Sequence, residues 1–388
     1  MDFRDSPEDA EFRERARGAL EASVAELEGP EPATTEAKLP YFRQFTRLIN
    51  DAGFAGLAWP LEYGGKDASL TEQAIYLEEY DRAGAPDRLN TLGEGLAGPT
   101  IIDFGSDAHK RRFLEPILTG EEIWCQLFSE PGAGSDLAAL ETRAERDGDG
   151  WRISGQKVWT SRAQIAAHGM LLARTGGGAR HRGITYFLLP MDTPGVTVRP
   201  LRHMLGEAEF NEVFLDDVHV PDDLRIGEVD GGWRVAMATL SYERVALATG
   251  RVNIRRWMQR LVELVRSGHD AEGRPLGEDP ELRRKVADLY ARAEIQRVNG
   301  LRALASLESG TPGPETSIGK LWSAPLVEDL ADLALSLSGL GGQLEEAEDE
   351  LDPWLRLAYQ ARGTSIAGGT TFIQRNIVAE RVLGLPRA

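Results

Sequence analysis

Cysteine is almost missing from this chain, and its histidines are few. Among 388 residues there is one cysteine, Cys125, which excludes an intrachain disulfide and a metal cage built from thiolates. The six histidines include no pair at HxH or HxxxH spacing, so we predict no zinc site and no other metal centre. No local base accompanies Cys125, and we therefore expect a buried, small hydrophobic residue rather than a nucleophile.

Positive charge and long apolar runs are also scarce. The chain has 44 lysines and arginines against 62 aspartates and glutamates, which gives a net charge of −18. Nucleic-acid binding needs a basic surface, so we expect no nucleic-acid partner. No stretch reaches the ~20 apolar residues of a membrane span, and the N-terminus is charged and has no apolar signal region. These absences predict a cytoplasmic protein with no membrane segment.

What the chain does contain falls into three blocks. Residues 1–121 have helical spacing, residues 122–230 have short β-type runs between turn residues, and residues 231–388 are helical again. Strands do not alternate with helices, which argues against a Rossmann-type sheet. We predict a mainly α protein in which a small β-barrel or β-sandwich domain lies between an N-terminal helical domain and a C-terminal helical bundle.

Local signals place individual elements within these blocks. Ser6 followed by Pro7 is a typical helix start, and Pro280 opens a long helix that we expect to stop near Gly310. A further helix is expected from about Glu315 to Leu340, with a kink at Pro325. Five runs in the middle block predict strands: Trp151–Ser154, Met170–Ala173, Ile184–Leu189, Val196–Val198 and Val213–Leu215.

One glycine motif points to a function that its context excludes. Residues 93–98 match GxGxxG, the dinucleotide-binding pattern. That interpretation needs a strand before the motif, whereas the preceding residues are not of strand type and Pro99 follows. We interpret the motif as a glycine-rich connection between helices.

Two segments of the middle block carry the chemistry. Residues 126–136 end an apolar run in Ser129 and a stretch of glycines, and Trp159 is followed by two hydroxyl residues. A flavin needs hydrogen-bond donors at its carbonyl edge and N5, an aromatic wall beside the ring, and backbone amides near the pyrophosphate. The two segments supply all three, and a third segment, residues 367–377, adds a Gly-Gly-Thr-Thr run before a helix.

Together the three segments resemble the signatures of the acyl-CoA dehydrogenase family, and the resemblance extends over nearly the whole chain. It implies an N-terminal helical domain over 1–121, a β domain over 122–230, a C-terminal four-helix bundle over 231–388, and FAD as cofactor. The positions that the resemblance assigns to FAD are Gln126, Phe128, Ser129, Gly134, Ser135, Trp159, Thr160, Ser161, Arg274, Gly341, Gly342 and Thr370. Around Arg274 the chain departs from the family pattern, because Leu276 replaces the usual phenylalanine.

The position of the catalytic base is the main departure. The family removes the α-proton of an acyl-CoA with a carboxylate while the β-hydrogen leaves as hydride to flavin N5. Many members carry that carboxylate where this chain has Gly368, and others carry it in a Glu-Arg pair on the helix that opens the C-terminal domain. Glu243 and Arg244 match that pair, on a helix expected from about Trp233 through Leu264, so Glu243 is the predicted base. The implied substrate-binding positions are Ser135, Tyr242, Arg244, Gly368 and Gly369.

The resemblance also implies partners and leaves alternatives open. It implies an acyl-CoA substrate in fatty acid or lipid metabolism, an electron-transfer flavoprotein as acceptor, and a homodimer or homotetramer. Residues 206–214 resemble bacterial members that act on branched, bulky or steroid side chains, some of which are heteromers of two unlike subunits. The alternatives are a non-catalytic partner subunit of such an enzyme and a flavin-dependent relative that uses oxygen. Acyl length and shape are not readable from the sequence.

Overall fold

The computed structural model describes residues 5–32, 34–86, 88–178, 180–248, 254–308, 315–339 and 352–386, without the side chains of 243–248, 304–308, 315 and 316. The chain forms two compact units, Met1–Glu243 and Arg244–Ala388. The three-domain division with limits at 121 and 230 stays a prediction.

The first unit begins with helices. They are α1 (Pro7–Ala25), α2 (Thr35–Asp51), α3 (Leu70–Arg82), α4 (Gly98–Phe104) and α5 (Asp107–Leu118). The predicted start of α1 is confirmed: the Ser6 hydroxyl accepts the N–H of Asp9, the Asp9 side chain returns to Ser6, and Pro7 takes the first helical position. These contacts satisfy backbone donors that a helix start leaves unpaired.

The GxGxxG motif is helical itself, which corrects our interpretation of it as a connection. Residues 93–97 form one π-helical turn that runs directly into α4. Gly98 serves packing, because a Cβ added there would lie 1.9 Å from the ring of Trp59. The same indole donates to the carbonyl of Glu94 at 2.8 Å. The motif therefore packs around Trp59, and no strand precedes it among the residues that the structure describes.

Eight strands form one mixed sheet. They are β1 (Trp124–Leu127), β2 (Arg143–Asp147), β3 (Gly150–Ser161), β4 (His168–Arg174), β5 (Ile184–Pro190), β6 (Val196–Leu201), β7 (Phe210–Pro221) and β8 (Arg225–Ile226). Their order is β6-β7-β3-β2-β4-β5-β8, and β1 pairs parallel with β4. All five predicted strands lie within these elements, so the central β region is confirmed.

The sheet is buried on both faces at its centre. On β4, Met170 and Leu172 join a core with residues of α4 and α5, whereas Leu171 and Ala173 join a second core with β3 and β7. This arrangement explains why β4 and β5 are apolar along their length instead of alternating. Cys125 on β1 is fully buried, and burial raises the pKa of its thiol, as expected for an inert residue.

Helices dominate the rest of the chain. They are α6 (Gly232–Ala248), α7 (Ile254–Ser267), α8 (Pro280–Glu308), α9 (Glu315–Leu337), α10 (Pro353–Thr364) and α11 (Thr371–Arg381). In the second unit, α7 to α10 share one apolar core. The predicted start of α8 is confirmed, since Asp279 accepts the N–H of Glu281 at 2.8 Å.

Some sequence predictions for this part fall outside the described residues. The expected stop of α8 at Gly310 is one of them. The end of α9 is described: the helix ends at Leu337, three residues before the expected limit, and Ser338 and Gly339 form a turn. The helix expected from Trp233 to Leu264 corresponds to α6 and α7, and residues 249–253 between them are not described. In the part of the chain that is described, no helix has the length and apolar character needed to cross a bilayer.

Candidate functional site

The loop after β1 exposes backbone next to open space. Residues 131–136 follow the strand, and Glu130 and Ala133 form an isolated backbone bridge that closes the loop. Gly132, Gly134 and Ser135 are exposed, and a Cβ built on either glycine meets no described atom within 4 Å. The local packing therefore leaves room beside these amides for a ligand.

A buried ion pair, which the sequence analysis missed, links the two predicted cofactor segments. Lys157 on β3 is fully buried, and its Nζ lies 2.7 Å from the carboxylate of Glu130 and donates to the carbonyl of Phe128 at 3.2 Å. The same carboxylate accepts the N–H groups of Glu141 at 2.6 Å and Thr142 at 3.0 Å. The loop and the strand are thereby held together at fixed spacing.

The electrostatics of this pair follow from its burial. Burial lowers the pKa of Lys157 to about 8, although the Glu130 carboxylate opposes the shift. For Glu130, burial alone would raise the pKa, but Lys157 and the N–H donors outweigh it and hold the pKa below its usual value. In the sequence, the ion pair is indicated only by the position of Lys157 within a predicted strand region, because its partner Glu130 lies 27 residues away.

Trp159 has an unusual backbone and an exposed ring. Its φ is 60°, and Arg162 three residues later has a φ of 59°, both in the left-handed region that non-glycine residues rarely adopt. The register of β3 against β7 shifts between Lys157 and Thr160, which marks a bulge. The indole is 63% exposed, with one edge against Phe210. An exposed aromatic on a bulged strand is suited to stack on or wall a planar ligand.

The neighbouring positions divide into backbone and side-chain candidates. Phe128 is 4% exposed and its ring packs against Tyr186, so we expect only its backbone to contact a cofactor. Thr160 is fully buried, and its hydroxyl has no hydrogen-bond partner among the described residues. Ser129 and Ser161 are half-buried. Among the described residues, the buried amide nitrogen of Gln126 has no hydrogen-bond partner. An open glycine backbone, an exposed indole and an unpaired amide donor fit a large aromatic cofactor such as FAD.

The part of α6 that belongs to the first unit is held against α4 by polar contacts. Thr100 and Thr239, both buried, share a hydroxyl hydrogen bond of 2.8 Å, and the Tyr242 hydroxyl donates to the Asp103 carboxylate. Burial and the neighbouring Asp103 raise the pKa of Tyr242. Tyr242, predicted to bind substrate, is therefore engaged by Asp103. Residues 243 and 244 lie on α6, and their side chains are outside the description.

The predicted glycines of the second unit have backbones suited to glycine. Gly368 has a φ of 64° and Gly369 a φ of 86°, and the Gln374 amide donates to the carbonyl of Gly368 at 3.1 Å. A side chain at these positions would be strained. Thr370 caps α11 by accepting the N–H of Ile373 at 3.2 Å, which leaves its O–H free to donate.

Arg274 lies in a turn rich in acidic partners. Its guanidinium lies 2.7 Å from Asp270 and 3.1 Å from Glu272, and its side chain is 73% exposed. A phosphate at this arginine would have to share it with two carboxylates. Gly341 and Gly342, the other predicted half of that site, lie outside the described residues.

One group of side chains among the described residues has a spacing compatible with a metal ion. Ligand atoms of His203, Glu207 and Glu209 lie within 4.8 Å of one another. The carboxylate of Glu209 also faces the Arg162 guanidinium at 3.5 Å, which already neutralises it. We assign no metal here, and the expectation of a metal-free protein stays a prediction.

Comparisons with known proteins agree with the fold and identify the family. Three family models match in order: the acyl-CoA dehydrogenase N-terminal domain over 6–121, the middle domain over 125–218 and the C-terminal domain over 230–383. Acyl-CoA dehydrogenase IpdE1 of Mycobacterium tuberculosis is 42% identical over 97% of this chain and 98% of its own. Human mitochondrial short-chain specific acyl-CoA dehydrogenase is 30% identical over 87% of this chain and 82% of its own.

Solved structures show the same similarity. The ChsE4-ChsE5 complex from Mycobacterium tuberculosis includes a chain 31% identical to this one, with a TM-score of 0.87 over 100% of both chains. The Tcur3481-Tcur3483 steroid ACAD includes one that is 28% identical, with a TM-score of 0.86 over 100% of both chains. Family members are FAD-dependent flavoproteins. This chain belongs to the acyl-CoA dehydrogenase family and is an FAD-dependent oxidoreductase of that family.

Proposed function

We propose that this protein dehydrogenates an acyl-CoA thioester to the 2-enoyl-CoA, with Glu243 as the base. The observation that carries the proposal is the exposed Trp159, held on a strained bulge of β3 beside the open glycine loop. The single edge contact with Phe210 leaves most of the indole exposed, and strain of this kind is concentrated at functional sites. The exposed Trp159 therefore supports binding of a planar redox cofactor beside the bulge of β3.

In this proposal the residues of β1, β3 and the glycine loop hold the flavin. Trp159 and Ser161 lie against the ring, Gln126 donates its unpaired amide, and the backbones of Phe128, Ser129, Gly134, Ser135 and Thr160 supply further contacts. In the second unit the proposed FAD positions are Arg274, Gly341, Gly342 and Thr370. When bound, FAD accepts the β-hydrogen of the substrate as a hydride at N5.

In this proposal, a residue in the C-terminal part of α6 removes the α-proton of the substrate. The α-carbon of a thioester is a weak acid, so the carboxylate that takes its proton must be desolvated and have a raised pKa. Gly368 cannot serve, because it has no side chain and its left-handed backbone disfavours one. Glu243 takes the α-proton as the double bond forms, the N–H of Gly369 stabilises charge on the thioester oxygen, and Arg244 and Ser135 bind the CoA end.

The test of this assignment is the Glu243→Gln variant. Glutamine keeps the size of the side chain and cannot accept the proton, so we expect the rate of flavin reduction by substrate to fall about 10³-fold with FAD content unchanged. The control is Glu263→Gln, which changes an exposed carboxylate on α7 and should leave the rate unaltered. Turnover retained in the Glu243→Gln variant would rule out Glu243 as the base.

The substrate that we propose is a CoA thioester with a bulky, ring-bearing acyl group. The similarity to a structure described as a steroid ACAD supports this class, as does the resemblance of residues 206–214 to members that act on bulky chains. We further propose an electron-transfer flavoprotein as acceptor and a cytoplasmic location. Comparing flavin reduction by ring-bearing and straight-chain thioesters tests the substrate class.

We also propose a dimer-based assembly, either of identical chains or with an unlike second subunit. The second unit exposes large apolar side chains, including Ile366, Phe372 and Leu383, which are 66%, 73% and 65% exposed. Large apolar side chains exposed in this way favour an interface if they form one continuous patch. Light scattering measures the mass of the protein purified alone and of the protein co-expressed with a homologous subunit. A monomeric mass in both samples would contradict the proposed assembly.

Gly368 favours a second candidate function. A chain with no carboxylate at the usual position could be the catalytically silent subunit of a heteromer, in which case Glu243 would be structural. The Glu243→Gln variant separates the two functions, because a silent subunit would support the same turnover with either residue when its partner is present.

A further inference from the structure

A buried polar cluster surrounds the bulge that presents Trp159. At its centre is Asn211 on β7, which is fully buried directly opposite Thr160 in the strand register. Its amide nitrogen donates to the carbonyl of Thr160 at 3.0 Å and to the side-chain oxygen of Gln164 at 2.6 Å. A buried amide in these contacts has a structural or functional purpose, because it is costly to leave unpaired.

The geometry of the strands shows what Asn211 holds. From Lys157 to Thr160, β3 advances three residues, while β7 advances only two, from Val213 to Asn211. The extra residue on β3 produces a bulge. This bulge contains Trp159, whose φ is 60°. The carbonyl of Thr160, directly after the bulge, is the group that the Asn211 amide fixes.

Other contacts anchor the turn after the bulge. The N–H of Arg162 donates to the carbonyl of Glu209 at 2.8 Å, and its guanidinium donates to the carbonyls of Arg88 at 2.8 Å and Leu89 at 3.0 Å. The Gln164 amide donates to the carbonyl of Ala208 at 3.0 Å. Strained backbone persists only where surrounding contacts determine it, and these contacts do so on both sides of Ser161.

We propose that Asn211 is a positioning residue for the flavin: it fixes the strained turn from Trp159 to Arg162, so that the indole of Trp159 and the hydroxyl of Ser161 face the cofactor. The inference rests on the assignment of those two residues to FAD under the proposed function. Asn211 itself acts through the Thr160 carbonyl and does not need to touch the cofactor. The oxygen of its own amide has no partner among the described residues, so donation by the nitrogen is its principal bonding role.

The first test is the Asn211→Leu variant in the full-length holoenzyme. Leucine has a similar volume and cannot donate, so the turn loses its central contact. We expect the Kd for FAD to rise about tenfold and the visible flavin spectrum to shift, while unfolding stays cooperative.

The matched control is Thr185→Val, which removes a different fully buried polar group, a hydroxyl, from the same sheet. Thr185 accepts the N–H of Asp230 at 2.9 Å, and Asp230 also has a positive φ, of 62°, away from the predicted cofactor segments. This variant should lose thermal stability and keep the wild-type Kd for FAD. A Kd for FAD in Asn211→Leu within twofold of the wild-type value would overturn the proposal.

A second measurement covers the case in which Asn211→Leu does not fold. Trp159→Gly and Trp159→Ala both remove an indole that is 63% exposed, but only glycine adopts a φ of 60° without strain. In an ordinary strand the glycine variant would be the less stable of the two. We expect the opposite order, with the Tm of Trp159→Gly equal to or above that of Trp159→Ala, and the usual order would refute a strained turn.

These readouts separate this inference from the proposed function. If the wild-type protein binds FAD but oxidises no acyl-CoA, the proposed function fails, while the Kd comparison still decides the role of Asn211 and the Tm order still tests the strained turn on which that role depends.

Discussion

At the scale of single residues, the pair of Lys157 and Glu130 is the contact on which we expect the site to depend most. Both side chains are buried, and together they connect the glycine loop to β3. Removing one partner of a buried pair leaves the other charge uncompensated. The pair therefore makes the arrangement of the two cofactor segments sensitive to a single substitution.

We predict that Lys157→Met lowers the free energy of unfolding by about 3 kcal/mol. The Glu130 carboxylate would remain buried with only its backbone donors. The double variant Lys157→Met/Glu130→Gln should lose less than the sum of the single variants, because it removes the unpaired charge. Urea unfolding measures both effects.

The control on the same strand is Arg152→Met. Arg152 is exposed and pairs with Asp147 at 2.7 Å, so its loss should change stability little. Equal destabilisation by the two single variants would mean that the buried pair has no special role.

Residue-level predictions succeeded where the sequence neighbourhood determines the outcome. The capping of α1 by Ser6 and the burial of Cys125 depend on adjacent residues, and both are confirmed. The burial of Lys157 depends on its ion pair with Glu130, which is distant in sequence. The positive φ of Trp159 depends on the pairing of β3 with β7, which is also distant in sequence. No pattern in one segment contains that information.

At the scale of elements, the packing of α1 against α3 shows how charge is used inside the N-terminal helices. Glu79 on α3 is 3% exposed and accepts hydrogen bonds from Arg13 and Arg17 on α1 and from Arg82 on its own helix. Burial alone would raise the pKa of Glu79, but the three arginines outweigh it and lower the pKa to about 2. The carboxylate is therefore an ionised centre that ties the two helices together.

This shift predicts a pH-dependent contribution to stability. Because the pKa of Glu79 is lower in the folded protein than in the unfolded chain, its contribution is present above about pH 4.5 and is lost as the pH falls toward 2. Glu79→Gln should lower the free energy of unfolding by about 3 kcal/mol at pH 7, and the difference from wild type should shrink below pH 4.5. Denaturant unfolding across this pH range checks both statements.

The neighbouring Glu78 supplies the control. It also contacts Arg13, at 2.8 Å, but its side chain is 59% exposed. Glu78→Gln should therefore change the free energy of unfolding little at pH 7, and we expect no large change in that difference between pH 4.5 and 2. A Glu79→Gln deficit that stayed constant from pH 7 to the acid limit would contradict the assignment.

Element prediction failed at one informative place. The existence of the strands and the starts of α1 and α8 followed from periodicity and capping, and the structure confirms them. We interpreted the glycines at 93–98 as a connection between helices because the residues before them are not of strand type and Pro99 follows. The structure instead uses Gly98 to let α4 approach Trp59, a tertiary contact that outweighs local propensity.

At the scale of the whole molecule, the order of helices, strands and helices and the family assignment agree. Periodicity predicted the order of the blocks, and the family resemblance added the cofactor and the individual site roles. The individual site roles, from Glu243 to Arg274, stay predictions. The structure narrows one of them: the ring of Phe128 is buried against Tyr186, so we expect its backbone to contact the cofactor.

The measurement that tests the central claim most directly is anaerobic mixing of the purified protein with acyl-CoA thioesters while the flavin absorbance is followed. The panel should contain ring-bearing and straight-chain acyl groups, and each should be repeated with the Glu243→Gln variant. We expect the wild-type flavin to be bleached, fastest by a ring-bearing thioester, and the variant flavin to stay oxidised. If bound flavin is left unbleached by every thioester, or is bleached equally in the variant, the proposed dehydrogenation by Glu243 is wrong.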